Sequence, residues 1–480
     1  FLKRPTALTL KWSRFGDLTR LDCTAVPDER ALLQAPHQRR LVFYESRFSI
    51  IMMVQMSRRL LSAVVFIMLA ACTDSSREVV SSPSLDELSS DGSGTGSGGG
   101  GESDVYSTRD MLVAYIDEIV LPNYQDLELL TTQFAASDGT LGAYCDAIGT
   151  ADQASQQAAA RSDWMAISEK VQASELHVIG PAIENGGSLQ FRLNSYMAGP
   201  LSTCGVDGIA AQVEDGINID ARSLNQRGIG ALEYLLFNDN LDHSCPPQAA
   251  ATAQWNALDE NTRASQRCQA AQMVAGDMSA AAATLVDKWQ PAGQDYRAVF
   301  LSEERVGESL QDTTDAMFYL EEGAKDAKLG NPLGIIVACS ALTCPEQIES
   351  TYSAKSLDNI ITNVKAFRRI FISNDKTGFD AHLTAEGFPE VAERFINNLE
   401  ASITYAESIE QSVTEQVAAI ATESEETACS NAFANPDSPS EQFPLCTLYG
   451  MVKTIVDDLK IDFVTIVNVS IPGSSQSDND

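Results

Sequence analysis

Histidine is scarce in this chain, with 4 in 480 residues. No His-Glu-x-x-His run occurs and no two cysteines stand as Cys-x-x-Cys, so the usual sequence marks of a catalytic or structural zinc site are missing. Basic residues are also few, 33 against 66 acidic, for a net charge of −33. That balance repels phosphate backbones, excludes general nucleic-acid binding and makes cations the better partners. No apolar run approaches the roughly 20 residues that a membrane-spanning helix needs. Glycine (30) and proline (17) are ordinary in number, which excludes a collagen-like or wholly disordered chain.

The few basic residues are unevenly placed. Residues 1–71 hold 11 basic and 5 acidic side chains, so the acidic excess lies beyond them. Met56-Ser57-Arg58-Arg59 is a short basic start before the apolar run Leu60 to Ala71, a length that suits a signal-peptide core. Leu69-Ala70-Ala71-Cys72 resembles a bacterial lipobox, in which small residues admit the peptidase and the cysteine takes the lipid. The expectation is that 1–55 lies upstream of the true reading start, 56–71 is a lipoprotein signal peptide and Cys72 is the lipidated first residue. Thr73, rather than Asp, after that cysteine points to the outer membrane. Residues 72–103 are Ser, Gly, Asp and Glu in the main, a tether whose reach is on the order of 30 Å.

Cys145, Cys204, Cys245, Cys268, Cys339, Cys344, Cys429 and Cys446 remain after the leader. An even number in an oxidising compartment predicts disulfides. Short loops favour Cys245–Cys268, Cys339–Cys344 and Cys429–Cys446, which leaves Cys145–Cys204.

Apolar residues recur at helical spacing along most of the chain. Leu112, Tyr115, Ile116 and Ile119 make one stripe, and Pro122 suits the first turn of a second helix running to about Ala136. Further stripes are Met273 to Trp289, Leu357 to Phe371, Val391 to Val413 and Val452 to Phe463. Only Leu333 to Ala338 and Val464 to Ile471 read as β-rich. These patterns predict an all-α protein of two helical bundles, 104–245 and 246–472, parted near the Asp- and Pro-rich stretch 238–248 and followed by a polar tail, 473–480.

The densest motif is Arg227-Gly228-Ile229-Gly230-Ala231-Leu232-Glu233-Tyr234-Leu235-Leu236-Phe237. On a helix Gly230 and Glu233 share a face, while two glycines cost roughly 1 kcal/mol each relative to alanine. Gly228, Glu233 and the aromatic-leucine run resemble the Gly-x-His-x-x-Glu signature of the imelysin-like family, with Gly230 where the family has histidine. Phe191-Arg192-Leu193-Asn194-Ser195-Tyr196, Val206-Asp207, Asn331-Pro332-Leu333-Gly334 and Leu459 through Pro472 resemble other family segments. The resemblance runs from about 105 to 472. It implies two helical halves of duplicated origin, a site at the signature near their junction, and a role in bacterial iron uptake.

The founding member's metallopeptidase label sits badly with Gly230, because a catalytic zinc normally takes three protein ligands. The expected function is therefore a binding component in metal acquisition, with a metallopeptidase or a ligand-free scaffold lipoprotein as alternatives. The ligand is unidentified; iron or another divalent cation fits the charge. Expected partners are the membrane, through Cys72, and iron-uptake proteins of the envelope, with the folded part facing the periplasm. Candidate ligand-binding residues are Gly228, Gly230, Glu233, Arg192, Asn194, Ser195 and Asp207. Arg192, Asn194 and Ser195 could hold an anion with Glu233 orienting the guanidinium, or Arg192 could be an interior ion pair. Asp239, Asp242 and His243 form a second candidate cation trap, whereas Glu175 and His177, two apart, would splay. No evident base accompanies Ser195 as a nucleophile.

Overall fold

The computed structural model describes residues 106–373 and 377–476. The expected signal peptide, the lipidated Cys72, the tether to residue 103 and the last four residues of the polar tail lie outside the described residues. All described residues belong to one compact unit, Gly100–Asp480, and among them there is no β-strand.

The described residues begin with α1 (Thr108–Ala114), where the Ser107 hydroxyl accepts the Asp110 amide. It continues through a π-helical turn, Tyr115–Val120, into α2 (Leu121–Ala135). Pro122 was expected to open a separate helix, but the rod is continuous. The wide turn preceding the proline accommodates a residue that cannot donate to an ordinary helix and whose ring would press on the carbonyl four residues back. Helices α3 (Thr140–Ala147), α4 (Gln153–Ser174), α5 (Glu184–Leu193), α6 (Thr203–Ala211) and α7 (Gly228–Phe237) follow.

The 30-residue helix α8 (Glu260–Trp289) packs against α2, α3, α5, α6 and α7. Ala270, Ala271, Val274, Met278, Ala281, Ala282 and Leu285 are fully or almost fully buried on it, and the small alanines let neighbouring helices approach closely. The stripe predicted for Met273 to Trp289 is thus the buried face of one long helix.

Beyond α8 come α9 (Tyr296–Phe300), α10 (Val306–Met317), a π-helical segment Leu320–Gly330 and the single turn α11 (Asn331–Leu333). Then follow α12 (Ser356–Ile372), α13 (Phe379–Ala385), α14 (Pro389–Glu407), α15 (Val413–Ala418), α16 (Glu423–Ala434), α17 (Pro444–Asp458), a π turn Leu459–Phe463 and α18 (Val464–Val467). Phe371, Phe379, Phe395 and Phe463 meet with ring centroids 4.9 to 6.4 Å apart and fill the space between α12, α13, α14 and the last π turn. Helix α12 also packs against α4, which joins these later helices to the earlier ones.

Three local expectations are corrected. The stripe from Val391 to Val413 is not one helix: α14 stops at Glu407, and a Ser412–Glu415 capping box starts α15, since that reciprocal pair satisfies free amides only at a helix beginning. The β-rich runs are helical turns and extended tail, because branched residues make a strand only where another strand pairs with them. The disulfides are Cys145–Cys268, Cys204–Cys245, Cys339–Cys344 and Cys429–Cys446. The last two agree with the loop-length argument, and the first two exchange partners relative to it. Doubling a loop costs only about 0.6 kcal/mol of closure entropy, so the packing of α3 on α8 decides the partner of Cys145.

Candidate functional site

Helix α7 starts at Gly228 with φ +77°, where an added Cβ would stand 2.8 Å from the Leu193 carbonyl oxygen. Both the left-handed backbone and this close approach require glycine. Gly230 is different: a Cβ there would meet only Leu201 Cδ1, at 3.9 Å. The space next to it is open.

One turn on, Glu233 is 2% exposed, and its Oε1 accepts the Ser353 amide at 2.7 Å and the Ser353 hydroxyl at 2.8 Å. Burial pushes this carboxyl up to about 7, the Ser353 bonds oppose the shift and the charge of Glu349 adds to it. Glu233 therefore holds its proton more tightly than an exposed glutamate does.

Gly230 and Glu233 line a cavity of about 550 Å³, with Asn194, Ser195, Glu349 and Tyr352 among the other walls. Five carboxylates line it, from Glu233, Glu322, Asp326, Glu346 and Glu349; among the described residues no Lys, Arg or His does.

A buried polar cluster stands behind the Asn194 wall. Lys328 Nζ lies 2.6 Å from Glu175 Oε2, 3.1 Å from Glu349 Oε2 and 2.9 Å from Asn363 Oδ1, and also bonds Gln172. Asn194 Nδ2 donates to Glu175 at 2.8 Å and to Glu349 at 2.9 Å. Asn359 and Gln172 complete the shell of Glu349, at 3.0 Å each. Burial works against the Lys328 ammonium, but Glu175 and Glu349 outweigh it and hold its pKa up. Burial likewise raises Glu349, yet Lys328 and the amide donors hold it below the usual range. Glu175 is the carboxyl that stays raised, by burial and by Glu349 against the pull of Lys328. Two carboxylates thus share one ammonium. The π-helical backbone of 320–330 carries the lysine that makes this possible, and such turns often occur at functional sites.

The remaining expected residues go elsewhere. Arg192 does not meet Glu233: its Nε and Nη2 bond Asp277 Oδ1 at 2.9 and 2.6 Å, and Nη2 also bonds the Asp277 carbonyl. Arg227 binds the same carboxylate, with Nε 2.7 Å from Oδ2. Asp207, wholly buried, accepts from Tyr234, Ser244 and Arg267. Ser195 lines the cavity, but none of the described histidines does. Asp239 pairs with Arg161, Asp242 with Arg263, and His243 Nδ1 accepts the Cys245 amide, so these three do not converge. His177 is packed by the rings of Tyr115 and Tyr124, and burial brings its pKa down to about 4. Glu175, by contrast, turns into the lysine cluster.

Lys328, Glu349, Gln172, Asn359 and Asn363 were not singled out from the sequence. Asn359 and Asn363 could have been, since they interrupt the apolar face of α12 at helical spacing; Lys328 had no such mark. Among the described residues no group of three or more His, Cys, Asp or Glu side chains is placed to hold a metal ion, so the donor set does not fit a resident catalytic zinc.

An all-helical chain with a carboxylate-walled cavity at a Gly-x-Gly-x-x-Glu helix defines the class. Residues 120–438 match the imelysin family, and the chain belongs to that family. Among solved structures it is similar to an imelysin-like protein from Psychrobacter arcticum 273-4, at 15% identity and TM-score 0.55, covering 76% of this chain and 96% of that one. It is also similar to a protein from Parabacteroides distasonis ATCC 8503 described as an iron-regulated protein A precursor, at 17% identity and TM-score 0.50, covering 74% and 97%. At these identities the likeness shows the fold. No curated protein matches the chain.

Proposed function

We propose that the chain is a cation-binding component of metal acquisition, with iron as its cargo, anchored to the outer membrane through lipid on Cys72 and working in the periplasm. The observation that carries this reading is the cavity lined by five carboxylates and no basic side chain. Lys325 pairs with Asp326 at 2.8 Å and Lys328 with Glu349 at 3.1 Å from behind the wall, so the excess of negative charge that would attract a cation falls to Glu233, Glu322 and Glu346, and their oxygen donors suit hard cations. Family membership and the iron-regulated description of one structural neighbour support the choice of metal. Glu233 would join as the charge-gaining group, since an entering cation favours its ionised form.

Because Gly230 supplies no ligand, iron(II) or zinc alone should bind weakly, and peptidase activity should be absent. The test is calorimetry of the mature chain with iron(II), together with metal analysis after gentle purification. Weak saturable binding that Glu233→Gln reduces supports the reading. No bound metal and no response to Glu233→Gln would sink it. Separately, Cys72→Ser should release the protein from the membrane fraction and abolish lipid labelling; unchanged, unlabelled membrane retention would refute the anchor.

A further inference from the structure

A groove of about 780 Å³ lies between α2, α4 and α12 and shares no lining residue with the first cavity. Two buried asparagines open onto it. Asn359 is 3% exposed, and its Nδ2 donates to Glu349 Oε2 and Ser350 Oγ at 3.0 Å each. Asn123 is 9% exposed, and its Nδ2 donates to the Lys170 carbonyl at 3.1 Å. These bonds fix both carboxamides, so that the Oδ1 atoms are the ones left over. Neither oxygen meets a donor among the described residues, and neither belongs to the atoms shut away from solvent. A ligand that displaces water from them must therefore bring donors of its own. The cations beside them are mostly spent: Lys170, Lys355 and Lys365 pair with Asp126, Asp358 and Glu407. Arg369 has no carboxylate partner among the described residues and gives one bond, to the Ser373 carbonyl at 3.2 Å. Glu169, exposed on α4, adds a further acceptor.

From this arrangement we propose that the groove binds a short peptide in extended form, its backbone N–H groups donating to Asn123 and Asn359 and its terminal carboxylate taking the Arg369 guanidinium. Asn359 and Arg369 stand ten residues apart on α12, about 15 Å along the helix, the span of roughly four to five extended residues. Met165, 38% exposed, and Ile361 supply apolar wall for its side chains. A sugar fits less well, because the rings in the wall, Trp164 and His177, are themselves buried and offer no face for stacking. A bare metal ion finds no converging ligand set among the described residues.

Calorimetry of the full mature chain with pentaalanine, its C-terminal amide, dialanine and maltopentaose tests this. Pentaalanine should bind at one site, roughly fivefold tighter than its amide, since amidation removes the charge-assisted pair with the guanidinium. Dialanine is too short to reach from Arg369 to Asn359 and should also bind roughly fivefold more weakly. Arg369→Gln should bring pentaalanine down to the affinity of its amide and leave the amide unchanged. Asn123→Leu should weaken both, with the far-ultraviolet circular dichroism unchanged. Arg369 is exposed, so its variant remains informative if the Asn123 variant unfolds. The proposal is overturned if pentaalanine does not bind saturably at millimolar concentration, if acid and amide bind alike, if a folded Arg369→Gln binds as wild type does, or if maltopentaose binds more tightly than the peptide. Iron binding at the first cavity is measured separately, so either result can fail without the other.

Discussion

Two groups of buried acids sit near the signature helix, and they differ in how their charge is matched. Among α5, α6, α7 and α8, Asp277 holds Arg192 and Arg227, and Asp207 holds Arg267. With the exposed Asp220, which also reaches Arg227 at 3.1 Å, three guanidinium groups face three carboxylates there. Across the cavity, Glu175, Glu233 and Glu349 have only Lys328 between them. The first group is a filled lock that fixes helices together. The second is short of positive charge, and that shortage is what a cation could meet. Burial alone therefore does not mark a functional acid; an unmatched buried acid does.

The largest effect should come from breaking the filled lock. Asp277→Ala leaves two arginines facing one another without their shared partner, and loss of one member of a buried pair costs about 3–5 kcal/mol. Denaturant unfolding should show this loss, and a change below about 1 kcal/mol would mean the arginines find other partners.

Next comes Glu233, the acid without a cation. Its folded pKa of about 7 lies above its ordinary value of 4.5, so the native state holds this proton more tightly than the unfolded chain does. The stabilising preference for the protonated form is fully present below about pH 4.5, and it is lost as pH rises through 7. Glu233→Gln removes the penalty on the charged form and keeps an acceptor for Ser353. It should gain on wild type by on the order of 2–3 kcal/mol between pH 5 and 8. A pH-independent difference between the two would show that Glu233 is already matched.

The glycines give a smaller contrast on one helix. Gly228→Ala should cost about 2 kcal/mol, from left-handed strain and from pressing on the Leu193 carbonyl. Gly230→Ala should change stability by less than about 1 kcal/mol, in the favourable direction. Gly230→His should fold normally and create an i, i+3 His and Glu pair on the cavity wall. Zinc binding that appears with Gly230→His and disappears again in the double variant with Glu233→Gln would confirm that the vacated space belongs to the site. Equal losses for Gly228→Ala and Gly230→Ala would refute the distinction.

Much of the fold was legible because helices announce themselves locally. The stripes on α8, α12 and α17 are runs of neighbours at helical spacing, and the need for glycine at 228 showed as a costly residue within a helix-forming sequence. What failed depends on distant contacts. Cys145 and Cys268 are 123 residues apart, and only the packing of α3 on α8 pairs them. The partner of Arg192 is Asp277, on a helix 85 residues later, where the motif had suggested Glu233. Two cysteine pairs were right because their loops are short, one within a single loop and the other between the successive helices α16 and α17. At the candidate site, Glu233 and Gly230 were visible through the signature, whereas Lys328 and Glu349 were not. Asn359 and Asn363 at least mark a helix face by their spacing, but nothing local marks Lys328 or Glu349, whose meeting is set by how the rods pack.

The wide π-helical segment at 320–330 carries a consequence for how related chains may be compared. A helix that spans one additional residue per turn behaves like an inserted letter in an otherwise regular line. Removing one residue before Lys328 would restore an ordinary helix and swing the residues beyond it by about 100°. Lys328 would then leave Glu175 and Glu349, and a neighbour would face them instead. Sequences aligned without a gap here would pair the lysine with the wrong column, and a one-residue deletion in this segment would alter the charge behind the cavity wall as surely as a substitution of the lysine itself.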